Sequence, residues 1–133
     1  MRTYNVRMIA LVVRAPIKWV DNILSHHRIP GVVAGTRGVE RRVSDDGLLC
    51  IELCRLLTHD LGVPLGRAAA IAQQVVAREP EARKRLPLGS GIVLELPMDE
   101  IDQRLRTRLI DAAEAVAQVR RGRPPKRARP LPQ

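Results

Sequence analysis

The chain has 133 residues, of which 45% are hydrophobic and only 2% aromatic, and its formal net charge is +9. This length allows one domain with its own core. A core so poor in aromatic rings must be aliphatic, which suits packed helices better than a β-sandwich. The apolar runs are too short to cross a membrane and no basic-then-apolar leader opens the chain, so we expect a cytoplasmic protein.

The positive charge is concentrated at the two ends of the sequence. Residues 1–44 carry eight Lys or Arg against two acids, residues 45–119 carry nine against twelve, and residues 120–133 carry six and no acid. A proteome rich in arginine would explain the total charge but not this segregation. Two separated cationic blocks favour a polyanionic partner, because each neutralised phosphate releases a counterion.

The first segment of the chain predicts two short helices. Asn5 can cap a helix that runs to about Val13. Pro16 suits the start of a second helix over about 17–27, because its missing N–H is not needed there. The second helix has an apolar stripe on one side and polar residues on the other.

A β-hairpin and two further helices are predicted next. Residues 32–34 and 39–43 are β-prone and flank a glycine-containing turn. Ser44 is a suitable cap for a third helix, mostly apolar on every side and therefore central, that ends at about Leu61. A fourth helix is predicted over about 65–78.

The last third of the chain predicts a linker, a strand and a long helix. The linker covers 79–91 and has room for one helical turn, the strand covers 92–96, and the amphipathic helix covers 98–119. The strand could pair with a second copy or with the wing. The helix has an apolar stripe that must be covered either by a second subunit or by the third and fourth helices of its own chain. We interpret this stripe as a dimerisation surface formed by Met98, Ile101, Leu105, Leu109, Ala112, Val116 and Val119.

The order helix, turn, helix, hairpin, helix, helix within residues 1–78 is that of a winged helix-turn-helix. In that fold the second helix enters the major groove of DNA with its polar face toward the bases, and the hairpin reaches the neighbouring backbone. The candidate DNA-binding residues of the second helix are Lys18, Asn22, Ser25, His26 and Arg28. Those of the hairpin are Arg37, Arg41 and Arg42.

Four short motifs mark the segment from Pro16 to Ala72. They are Ile29-Pro30, Arg42-Val43-Ser44, Asp45-Asp46-Gly47-Leu48-Leu49 and Leu61-Gly62-Val63-Pro64-Leu65. With these motifs the segment resembles the DNA-binding domain of the MerR family, which implies a dimeric bacterial transcription regulator with its basic residues on DNA. The segment departs from the family at Val43, where a tyrosine is usual. It also departs at Asp21, whose negative charge requires a basic neighbour or a cytosine amine.

The C-terminal residues 120–133 form a basic tail that we expect to be disordered. Its Arg-Gly-Arg-Pro core resembles an AT-hook, in which an extended backbone inserts arginines into a narrow A·T minor groove. The residues that carry this resemblance are Arg121, Gly122, Arg123, Pro124, Lys126 and Arg127. The alternative is an unstructured tail that adds affinity without specificity.

The sequence shows no pattern that indicates catalysis. There is no glycine-rich phosphate loop, nucleophile motif or pair of carboxylates at a useful spacing. Cys50 and Cys54 lie one helical turn apart, but a zinc site needs four ligands, so we interpret them as core residues. We therefore expect neither an enzyme nor a bound metal or cofactor.

The pattern as a whole predicts a mainly helical protein with a small β-hairpin wing that binds double-stranded DNA as a dimeric regulator on the nucleoid. One alternative is an antitoxin or accessory factor whose C-terminal helix binds a partner protein. Another is a nonspecific nucleoid-associated or RNA-binding protein. The scarcity of aromatic rings argues against the reading of single strands, which usually requires base stacking.

Overall fold

The computed structural model describes residues 2–33 and 40–122, with side chains described up to residue 119. Within this part the fold is mainly helical with a small antiparallel sheet, as predicted. The helices are α1 (Val6–Val13), α2 (Ile17–His26), α3 (Asp45–Leu61), α4 (Leu65–Val76) and α5 (Met98–Gly122). The strands are β1 (Thr3–Asn5), β2 (Val32–Val33), β3 (Arg42–Ser44), β4 (Arg85–Pro87) and β5 (Val93–Glu95).

The ends of α1 and α3 follow from individual residues. The side chain of Asn5 accepts a hydrogen bond from the backbone N–H of Met8 at 2.8 Å, which caps α1 as predicted. Arg14 ends this helix in the left-handed conformation, with a φ of 55°. Gly62 ends α3 in the same conformation, which costs a glycine little because it has no Cβ.

The two strands of the predicted hairpin, β2 and β3, belong to a three-stranded antiparallel sheet with β3 at its centre. β3 pairs with β2 on one side and with β1 on the other, with Val43 opposite both Val32 and Tyr4. β1 was not predicted. It is tied to the start of α3 by the Tyr4 hydroxyl, which donates to Asp45 at 2.6 Å, and burial together with this bond raises the pKa of Tyr4 to about 12.

The core is centred on α3, as its apolar sequence predicts. Leu48, Ile51 and Leu53 are almost fully buried, and α4 packs along the same helix. Gly47 allows the start of α3 to approach the loop before β2, because a Cβ at this position would overlap the Val43 side chain and lie 2.6 Å from the Pro30 carbonyl oxygen. A larger residue would therefore push the sheet and α3 apart.

The segment predicted as a linker, 79–91, is more ordered than expected. It contains a 3-10 turn at Pro80–Ala82, in line with the single helical turn that was allowed for, and then β4, which was not predicted. β4 pairs with β5 in a second hairpin with Leu86 opposite Leu94. The strand expected over 92–96 therefore pairs within its own chain with β4 rather than with the wing.

The long helix α5 packs against α1 of the same chain. Of the two coverings considered from the sequence, folding back onto the same chain is the one observed, but the main partner is α1 rather than the pair α3 and α4. Across the described part of the chain, no helix combines the length and the apolarity that a membrane span requires.

Candidate nucleic-acid interface

The second helix presents a polar face to solvent. Val20 and Ile23 are fully buried and fix its rotation about its axis. The opposite side consequently faces outward. Every residue predicted to contact DNA from this helix and the residues just after it is exposed: Lys18, Asn22, Ser25, His26 and Arg28.

Arg41, just before β3, joins the sheet to this face. One guanidinium nitrogen lies 3.1 Å from a carboxylate oxygen of Asp21, and the other donates to the Ser25 hydroxyl at 3.5 Å. The first contact neutralises Asp21, whose negative charge would otherwise repel DNA phosphates. Both contacts place the hairpin arginine beside the exposed side of α2, so the two elements share one surface.

Arg42 is the first residue of β3 and has different contacts. Its guanidinium donates to the hydroxyl and the carbonyl oxygen of Thr3, at 2.7 and 2.9 Å. Arg41 is bound to α2 and Arg42 to β1, so the two side chains diverge. The expectation that both arginines join the α2 residues is therefore corrected for Arg42, whose bonds connect β3 to β1.

The imidazole of His26 is oriented by its own helix. Its Nδ1 lies 2.9 Å from the carbonyl oxygen of Asn22 and therefore carries the proton that it donates. The second ring nitrogen is left for a ligand. Among the described residues, no hydrogen bond occupies the exposed side-chain amide of Asn22, so its donor and acceptor groups are available for a base edge.

The end of α2 is fixed by contacts from two other elements. Gln73 of α4 donates to the carbonyl oxygen of Arg28 at 2.6 Å. The backbone N–H of Ser44 donates to the carbonyl oxygen of Gly31 at 2.9 Å. Gly31 has a φ of 74°, and a Cβ there would overlap the Ser44 side chain, so glycine is required at this turn. These contacts hold α2 in a set position relative to β3 without covering its polar face.

Several predicted DNA contacts lie outside the described residues, namely Arg37, Arg123, Pro124, Lys126 and Arg127. Arg121 and Gly122 are described by their backbone, which forms the last turn of α5. An AT-hook requires an extended backbone at these two positions. The expectation of a disordered tail that begins at residue 120 is therefore corrected, since the helix continues to Gly122.

The predicted dimerisation stripe is mostly used inside the chain. Met98, Ile101, Leu105 and Ala112 are buried in the core of their own chain, and this part of the expected dimer surface is wrong. Leu109 is partly buried against the same core. The stripe predicted an apolar face correctly, but periodicity does not say which element covers that face.

Two residues of the stripe remain exposed near the end of α5. Val116 is 38% and Val119 63% exposed, and they line an open groove with Met8 and Leu11 of α1. Ile110 is exposed on the same helix. An apolar surface built from α1 and α5 is therefore left on the described part of the molecule.

The two cysteines are buried side by side in α3, as the sequence interpretation requires. The hydrogen bond that Cys50 donates to Cys54, together with burial, raises the pKa of the Cys50 thiol, while accepting this bond lowers the pKa of Cys54. Among the described residues, no group of three or more potential ligands is close enough to hold a metal ion. Both thiols are core groups, out of reach of solvent.

A cluster of charged residues between α1, α3 and α5 was not identified from the sequence. Its centre is Glu52, which is 1% exposed and accepts from Arg108 at 3.2 Å. Burial raises the pKa of Glu52 even though Arg108, Arg104 and Arg14 act to lower it. The available signal was a glutamate inside the otherwise apolar run of α3, since a buried charge needs a partner.

No protein-family model matches the chain, and the curated proteins contain no match to it. The functional interpretation consequently depends on the geometry of the residues described above.

Proposed function

We propose that this protein binds double-stranded DNA with sequence preference and acts as a dimeric transcription regulator. In this proposal α2 enters the major groove, the hairpin of β2 and β3 lies along the neighbouring backbone, and the basic residues after α5 follow the minor groove. The resemblance of the first domain to the MerR family is consistent with this arrangement.

The observation that carries the proposal is the position of Arg41. Its contacts with Asp21 and Ser25 bring the hairpin and the polar face of α2 onto one surface. An α-helix fits the major groove, and a hairpin beside it meets the flanking phosphates. Had the basic residues of the two elements faced apart, a single duplex could not have contacted both.

The exposed residues of α2 divide into two chemical groups. Asn22 offers one donor and one acceptor, which match the N7 and N6 edge of adenine in the major groove. Lys18 and Arg28 are cations suited to phosphates, which position the protein but carry no sequence information. We therefore assign base preference to Asn22 and affinity to the cations.

The proposed dimer uses the apolar surface that the fold leaves exposed. Leu11, Ile110 and Val119 are each more than half exposed. Two-fold pairing through this surface would present two α2 helices to two half-sites of a palindrome. The same surface also favours a second candidate, an accessory factor or antitoxin that binds another protein there.

Selection of duplexes from a random library by the full chain tests the proposal. We expect enrichment of an A·T-containing palindrome, and light scattering should show a dimer. A monomer that binds no duplex would favour the accessory factor, whereas equal affinity for all duplexes would indicate an architectural protein.

Binding of the selected duplex to single variants then locates the interface. Asn22→Ala should relax base preference, and Lys18→Gln should weaken binding to all sequences alike. Lys84→Gln is the matched control, because Lys84 carries the same charge on the second hairpin, where it pairs with Asp99 at 3.4 Å. Equal losses for Lys18→Gln and Lys84→Gln would contradict the assignment of the α2 face.

A further inference from the structure

An open pocket of about 250 Å³ lies where the end of α1 meets α3 and α5. It is separate from the exposed face of α2 and plays no part in the proposed contacts with DNA. Its lining is dominated by charged side chains, of which the cations are Arg14, Arg55, Arg104 and Arg108 and the acids are Glu52 and Asp60.

The pocket has more positive than negative charge. Four guanidinium groups face two carboxylates, and His59 also lines the wall. One of the carboxylates, Glu52, is already bound to Arg108, which also donates to the carbonyl oxygen of Val12 at 3.2 Å. Three other arginines of the lining, Arg14, Arg55 and Arg104, form no ion pair within the described residues.

Arg55 already donates to the carbonyl oxygen of Arg14 and lies over the Trp19 ring, so Arg14 and Arg104 are the two whose guanidinium groups have no hydrogen-bond partner among the described residues. Within residues 2–33 and 40–119, neither side chain forms an ion pair. Their charges act to lower the pKa of Arg108, after burial, so the three guanidinium groups are near enough to repel one another. An anion placed among them would relieve this repulsion.

The backbone of Arg14 supports a role for its side chain. Arg14 ends α1 with a φ of 55°, in a conformation that glycine or asparagine occupies more readily. A glycine would close the helix with less strain but would place no cation at the pocket. An arginine at this position is explained if its guanidinium group has a ligand.

We propose that the pocket binds a small anion with at least two negative charges, either a phosphate group or a pair of carboxylates. Arg14 and Arg104 would contact the anion directly, since guanidinium groups bind such oxygens through paired hydrogen bonds. The Arg108–Glu52 pair forms the inner wall and fixes the position of the third cation.

The pocket is connected to α2 through one arginine. Arg55 lines the pocket, donates to the carbonyl oxygen of Arg14 at 3.3 Å, and places its guanidinium carbon 5.2 Å from the centre of the Trp19 ring. This distance is that of a cation–π contact. An anion that attracts Arg55 changes the surroundings of Trp19, which belongs to α2. An effect of the anion on DNA affinity would depend on the proposed function. Binding of the anion itself does not depend on it.

Titration of the full chain with inorganic phosphate, without DNA and at constant ionic strength, tests the proposal. The chain contains a single tryptophan, so its fluorescence reports on Trp19 alone. We expect a saturable change with phosphate, a rise in Tm, and neither effect with chloride. Malonate in a parallel titration distinguishes a carboxylate site from a phosphate site.

Two variants of α5 provide the comparison. Arg104→Gln should weaken phosphate binding by about tenfold, the loss typical of one charged contact. Arg106→Gln removes the same charge two residues away, where the side chain lies outside this pocket, and should bind phosphate like the unmodified chain. Equal weakening by both variants, or equal responses to phosphate and chloride, would overturn the proposal.

DNA phosphates carry the same chemistry as the free anion and need a separate measurement. If free phosphate gives no saturable signal while Arg104→Gln weakens duplex binding as much as Lys18→Gln does, the pocket serves DNA and the small-anion proposal is wrong. A chain that binds phosphate but no duplex would contradict the proposed function and leave the anion site intact.

Discussion

Two ion pairs of nearly equal length occupy very different surroundings in this protein. The pair between Arg41 and Asp21 measures 3.1 Å and joins the hairpin to α2, with side chains 32% and 48% exposed. The pair between Arg108 and Glu52 measures 3.2 Å and joins α5 to α3, with side chains 19% and 1% exposed. Distance alone would rank the two contacts as equivalent.

The surroundings give the two pairs different roles. Water screens the exposed pair, so it contributes little to folding and its members can exchange partners with a ligand. The carboxylate of Glu52 is shielded from water, so the loss of Arg108 would leave a buried charge without compensation. The first pair suits a binding surface and the second suits a fixed scaffold.

The largest expected effect is on the buried pair. Arg108→Met should lower the free energy of unfolding by about 3 kcal/mol at neutral pH, because Glu52 loses its partner. The double variant Glu52→Met, Arg108→Met should recover most of that loss, since no charge then remains buried. Urea denaturation of the two variants measures both values. A double variant no more stable than the single one would show that the pair acts through packing.

A pH dependence of stability should arise from the same carboxyl group. Burial raises the pKa of Glu52 above its ordinary value of 4.5, so the folded state holds this proton more tightly than the unfolded chain. The stabilisation is present in full below pH 4.5 and is lost as the pH rises through the folded value. Denaturation across this range should show the dependence in the unmodified chain and a weaker one in Glu52→Gln. Identical pH profiles would mean that Glu52 titrates normally.

Disrupting the exposed pair of Arg41 and Asp21 should affect DNA binding more than stability. Arg41→Met should lower stability by no more than about 1 kcal/mol, since both partners are reached by solvent. Its affinity for the selected duplex should fall by about tenfold, because a cation is lost from the shared surface and Asp21 is left unneutralised. Denaturation and fluorescence anisotropy separate the two effects. A large loss of stability without a loss of affinity would remove Arg41 from the interface.

The smallest effect on DNA binding is expected from substitution of Arg42, the residue that follows Arg41. Arg42→Met should leave duplex affinity within about twofold of the unmodified chain, because its guanidinium group is bound to Thr3 and not to α2. The substitution removes the same charge as Arg41→Met. Comparing the duplex affinities of the two variants by fluorescence anisotropy therefore isolates the effect of where the charge lies. Equal losses of affinity would show that total charge, rather than the shared surface, determines binding.

The helices could be predicted from the sequence because their signals are local. Asn5 and Gly62 end helices as predicted, Ser44 stands at the N-cap position of α3 but its side chain forms no capping hydrogen bond, and apolar spacing identified the buried faces. β1 and β4 have three residues each, too few for an alternating pattern, and β1 is held by pairing with a strand about forty residues away. Such non-local pairing leaves no signal in a short window of sequence.

The candidate site could be predicted only in part for related reasons. The polar face of α2 follows from its periodicity, but the contact of Asp21 with Arg41 depends on how the sheet packs against the helix. The bonds of Arg42 were missed because they require β1. The covering of α5 by α1 was missed because an apolar stripe records that a face is buried without naming its neighbour.

The continuation of α5 to Gly122 determines how the basic tail begins. Among the side chains described up to residue 119, Ala112 is the last buried one of this helix, and at 1.5 Å per residue Gly122 lies about 15 Å further along the axis. The exposed end of α5 therefore has a set length and a set rotation about the helix axis, and these fix the point from which the chain continues. Deleting two residues from this segment would rotate that point about the axis by about 200°, whereas deleting four would return it almost to its original direction.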